Sequence, residues 1–76
     1  MEVKNERLLF DIIRASFNQR RKTLANGLRN SGSLDIPKEI IVEAIGRLGK
    51  GAEVRGESLT LEEFARLSNY IEEKIQ

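Results

Sequence analysis

Seventy-six residues, thirteen basic against twelve acidic, give a net charge of +1 and room for one small domain, which at this length buries only about 60% of its unfolded surface. With no cysteine and no histidine, the chain lacks a thiolate nucleophile, a disulfide framework and the commonest general base, and a zinc site would need carboxylates alone. No apolar run approaches the roughly 20 residues of a membrane span and residues 1–7 carry no signal-peptide core, so a cytoplasmic chain with no membrane partner is expected.

Apolar spacing is helical from the start. Leu9, Ile13, Phe17, Leu24 and Leu28 share one face at 100° per residue, with Phe10 alongside. Leu8 and Ile12 lie off that stripe, so the first segment is apolar on two sides, as in a helix covered by neighbours. Arg20 falls inside the stripe, where a charge is costly unless paired. A break near Asn18, a good N-cap residue, would avoid that cost. The spacing therefore predicts helices over about 5–17 and 19–30, or a single long helix if the stripe runs through.

Residues 30–33 read as a loop. A third helix follows, with Pro37 in its first turn. Its buried stripe is Ile40, Ile41, Ala44, Ile45 and Leu48, and Gly49 is suited to end it in the left-handed conformation. Residues 49–58 form a glycine-rich connection. Thr60 and Glu63 have capping-box spacing, and Leu59 and Phe64 have staple spacing. Leu61, Phe64, Leu67, Ile71 and Ile75 then recur at helical intervals. No stretch alternates with period two. The expected fold is a single all-α domain, a small bundle of about four helices without a sheet.

Several motifs carry little chemistry. The run Gly46-Arg47-Leu48-Gly49-Lys50-Gly51 has the glycines of a phosphate loop or a G-x-x-G clamp, but both need strands. It reads as a helix terminator. Residues 61–68 resemble the opening of a helix-turn-helix, but a net acidic tail follows where a DNA-reading helix would be needed. No DNA partner is expected. Adjacent carboxylates at Glu62-Glu63 and Glu72-Glu73 diverge around a helix and read as solvated faces.

The cations carry more. Residues 1–30 hold seven cations and three anions, net +4, whereas residues 31–76 are net −3. Arg14, Arg20, Arg21 and Lys22 cluster in the basic half. On a continuous helix Arg14 and Arg21 would share an azimuth. Arginine grips phosphate oxygens with a planar fork and lysine adds a compact charge. The alternatives are a solvated basic face, or pairing with Asp11, Glu53 or Glu57. None of these residues is assigned a catalytic role.

Phe10, then Arg14-Ala15-Ser16-Phe17-Asn18-Gln19-Arg20-Arg21-Lys22-Thr23-Leu24, resembles the segment that opens the C-terminal domain of the ribosomal RNA adenine dimethyltransferases. The run Arg55-Gly56-Glu57-Ser58-Leu59-Thr60-Leu61-Glu62-Glu63-Phe64-Ala65-Arg66-Leu67 resembles a second signature of that domain. The two stand in the expected order and cover nearly the whole chain. Gly27 departs from the pattern, which would have asparagine or another helix former. The resemblance implies a parent enzyme that methylates two adenines in a terminal hairpin loop of small-subunit ribosomal RNA, using S-adenosylmethionine. That chemistry belongs to an N-terminal Rossmann-like domain with an Asn/Asp-Leu/Ile/Pro-Pro-Tyr/Phe motif. Nothing in this chain matches either; its one proline, Pro37, follows Ile36.

The resemblance thus implies a C-terminal domain without catalytic or cofactor-binding residues, docking ribosomal RNA through Arg14, Arg20, Arg21 and Lys22. Its partners would be that RNA and its own catalytic domain. Arg55 and Glu57 would form an ion pair or cap before the last helix. Part of the run Arg20–Lys22 would, in an alternative, face that catalytic domain as an interdomain contact instead of RNA. Two other readings remain open. One is a structural module that braces the catalytic domain and touches RNA little. The other is kinship with the erythromycin-resistance methylases of large-subunit RNA, against which the run 19–24 speaks.

Overall fold

The computed structural model describes residues 2–19, 21–32 and 34–75. Four helices follow in chain order: α1 Glu6–Asn18, α2 Leu24–Arg29, α3 Lys38–Arg47 and α4 Leu61–Ile75, with a single 3-10 turn at Gly56–Ser58. The described residues contain no strand, as the spacing led us to expect. Each helix packs against its chain neighbours, and α4 closes the ring onto α1.

The core is built from residues four apart on successive helices. Leu24 and Leu28, Ile41 and Ile45, and Leu67 and Ile71 are almost completely buried, together with Ile12 of α1. Spacing of four keeps each pair on one helix face. Each such side chain contributes about 1.5–3 kcal/mol relative to exposure.

The buried face of α1 differs from the expected stripe. Leu8, Leu9, Ile12, Ala15 and Ser16 point inward, while Phe10 and Phe17 are exposed and Ile13 lies between. The helix is rotated toward Leu8 and Ile12 because the helix that follows does not continue it. Without that continuation, alignment with Leu24 and Leu28 places no demand on its orientation.

Asn5 caps α1, close to the expected start: its side-chain oxygen accepts from the Leu8 N–H at 3.0 Å. The second helix begins five residues after the expected start. Thr23, rather than Asn18, is its N-cap, accepting from the Asn26 N–H at 3.3 Å. Gly27, the departure in the family pattern, is buried; a Cβ there would lie 3.2 Å from Gln19 Cβ. The glycine lets α2 lie close on the end of α1.

Helix α3 starts at Lys38 with Pro37 as its cap residue, and Gly49 has φ +78°, the left-handed conformation expected from its position after the helix. The capping box of α4 is complete. The Thr60 N–H donates to Glu63 Oε1 at 2.9 Å and the Glu63 N–H donates to Thr60 Oγ1 at 3.1 Å. The staple residues Leu59 and Phe64 are both buried, but Leu61 and Ile75 lie outside the core.

Candidate nucleic-acid interface

Between α1 and α2 the chain makes a tight turn. α1 ends at Asn18, and the Lys22 N–H donates to the Gln19 carbonyl at 2.9 Å. Thr23 then restarts the helix, and the Leu24 N–H donates to the Val54 carbonyl at 2.8 Å. The turn is thus held at both sides and tied to the glycine-rich connection.

Arg21 and Lys22 are exposed on this turn. With Asn18 and Gln19 they line an open groove of about 400 Å³. Among the described residues, no carboxylate lines it. Among the described residues, Arg14, Arg21 and Lys22 have no salt-bridge partner, and the pairings considered with Asp11, Glu53 and Glu57 do not form. The charges of the turn are therefore presented to solvent with two carboxamides beside them.

Arg14 stands apart from the groove. It is exposed on α1, one turn before Asn18. Because α1 stops at Asn18, the shared azimuth of Arg14 and Arg21 does not exist. Arg20 lies outside the described residues. The structure thus brings Arg21 and Lys22 together, sets Arg14 on the adjoining helix, and adds Asn18 and Gln19. The sequence signal for these two amides was their place directly before the cations, which a capping role for Asn18 obscured.

The second family-like run has a structural setting. Arg55 caps the 3-10 turn through its backbone, its carbonyl accepting from the Ser58 N–H at 3.0 Å, whereas the Arg55–Glu57 ion pair does not form. Gly56 is buried against Ser16 of α1, and Phe64 meets Phe17 with ring centroids 6.3 Å apart. Cβ atoms added at Gly46, Gly49 or Gly51 would meet open space. The described residues contain no carboxylate cluster able to hold a metal and no helix long and apolar enough to cross a membrane.

No family model matches the chain. Curated proteins do. A Ribosomal RNA small subunit methyltransferase A of Lachnoclostridium phytofermentans is 63% identical over all 76 residues, which make up 26% of that protein. Proteins of the same name from Halothermothrix orenii and Clostridium botulinum are each 48% identical, over 73 and 71 residues, or 96% and 93% of the chain. The chain belongs to the C-terminal region of this family. It spans about a quarter of the length of the curated relatives it matches. The family's name places its members with the small subunit, in agreement with the run 19–24.

Proposed function

We propose that this chain is the RNA-docking, C-terminal domain of an S-adenosylmethionine-dependent adenine dimethyltransferase of small-subunit ribosomal RNA, acting in ribosome biogenesis in the cytoplasm. The observation that carries this reading is the turn between α1 and α2, where Arg21 and Lys22 line a groove with no carboxylate among the described residues. A phosphate seated there would be gripped by the arginine fork and a lysine charge, with Asn18 and Gln19 able to donate to sugar or base edges. Arg14 extends the positive face along α1. Arg20 is assigned to the same contact from the sequence alone.

In this reading methyl transfer takes place in a catalytic domain that precedes the chain. That domain binds the cofactor, which supplies the methyl group. No step of the chemistry is assigned to the residues of this chain. Their work is to raise the residence time of the RNA beside the catalytic domain.

Phosphate contacts release counterions, so affinity falls with salt. In a titration against a small-subunit RNA fragment, Arg21→Ala/Lys22→Ala should weaken binding. It should also reduce the slope of log affinity against log salt by roughly 0.7–0.9 for each phosphate no longer neutralised. Unchanged affinity and slope would sink the docking role of these residues. The second reading, a brace for the catalytic domain with little RNA contact, is favoured by the exposed Phe10 and Leu61. It predicts no salt-dependent binding by this domain.

A further inference from the structure

Phe10 on α1 and Leu61 at the start of α4 are 60% and 69% exposed, and both line one groove of about 440 Å³. Val3, Leu9 and Ala65 complete its apolar lining. Among the described residues its lining holds one charge, Glu62, paired with Arg66 at 3.4 Å. Large apolar side chains grouped on a surface mark a contact with another surface. A groove whose one charge is negative does not suit a phosphate backbone.

A second observation says what lies next to it. Asn69 of α4 clamps the incoming backbone at two points. Its Oδ1 accepts from the Lys4 N–H, and its Nδ2 donates to the Glu2 carbonyl, both at 2.8 Å. Asn5 Nδ2 donates to Glu72 Oε2 at 3.1 Å and Lys4 pairs with Glu73 at 3.4 Å. The segment 2–5 is therefore held along α4, and Val3 forms part of the groove wall. The chain corresponds to the C-terminal quarter of its relatives, so about three quarters of their length precedes it.

We propose that this groove receives an apolar surface of the polypeptide that precedes residue 1 in the full-length protein. The inference rests on the reading of this chain as a C-terminal domain, and not on its binding RNA. A tether clamped beside the groove gives the preceding polypeptide a high effective concentration there. That favours it over a second copy of the chain. Phe10 and Leu61 are the anchors, and Glu62 lies at the rim.

These 76 residues contain no cysteine, so in the full-length protein a thiol placed among them is told from any other by mapping the labelled peptide. Single variants Leu61→Cys and Val42→Cys are reacted with a maleimide, and the label is located by mass spectrometry. In this structure Leu61 is more exposed than Val42, which is 37% exposed. Coverage by the preceding polypeptide should invert the order, Leu61→Cys reacting about tenfold more slowly than Val42→Cys. Leu61→Cys reacting as fast as Val42→Cys overturns the proposal. So does protection that grows with protein concentration, which would identify a second copy, or protection that needs added RNA. The mass of the natural protein tests the C-terminal reading by itself. A protein no larger than this chain ends both readings, whereas a larger one with a reactive Leu61→Cys ends only the docking.

Discussion

Of the glycines, Gly56 has the least room beside it, and what fills that room is Ser16 of α1. A Cβ at Gly56 would fall on Ser16 Oγ, and that hydroxyl is buried with no hydrogen-bond partner among the described residues. Gly56→Ala should therefore destabilise by about 1–3 kcal/mol through overpacking. Ser16→Ala removes an oxygen that gains no protein hydrogen bond, so by itself it should leave the melting temperature unchanged or raised. Combined with Gly56→Ala it should recover part of the loss. Thermal melts of the two single variants and the double variant check this. An additive double variant would mean that the two residues do not meet. The contact lay beyond sequence reasoning, since Ser16 and Gly56 are forty positions apart and neither belongs to an apolar pattern.

At the scale of elements, local capping chemistry was the most legible feature. Thr60 and Glu63 announced α4, and both hydrogen bonds of the box are present. Thr60→Ala should cost about 0.5–2 kcal/mol. The same box sets a pH dependence. The Thr60 backbone N–H, and then Lys50 at 3.2 Å, hold the Glu63 carboxyl below its ordinary range. A carboxylate with a lowered folded-state pKa contributes stability that is fully present above its unfolded value, about 4.3. That contribution is lost as the pH falls through the folded value. The advantage of the natural chain over Glu63→Gln in melting temperature should accordingly shrink on acidification below about pH 4. A difference that stays constant from neutral to acid pH would contradict it. The start of α2 was misread for a related reason. Asn18 and Thr23 are both competent caps, and apolar phase could not choose between them. The Thr23 hydroxyl accepts from the Asn26 N–H, and the close seat of Gly27 on Gln19 goes with that start.

At the scale of the whole molecule, the ring of four helices was legible because each buries a pair of residues four apart. The orientation of α1 was not. Its apolar residues exceed what one face can bury, and only packing decides which are left out. Phe10 and Phe17 were left out, and with Leu61 they account for most of what the core pattern misplaced. The candidate interface was legible as composition and not as shape: the cations stood out, whereas the turn that presents them and the amides beside them did not. The net charge of +4 on residues 1–30 should speed encounter with RNA, so Arg14→Glu should lower the association rate most at low salt. A stopped-flow titration at two ionic strengths measures it, and a rate indifferent to the substitution would remove Arg14 from the positive face.

The Asn69 clamp has a mechanical consequence. A pull on the polypeptide ahead of residue 2 is borne first by α4, the last helix in the chain, through one carboxamide and the Lys4–Glu73 pair. Tension applied at Glu2 thus reaches α4 before it reaches α1. The two extremities of the domain thus act as a single hinge post, and Asn69→Ala should free the first residues to swing without unfolding the four helices behind them.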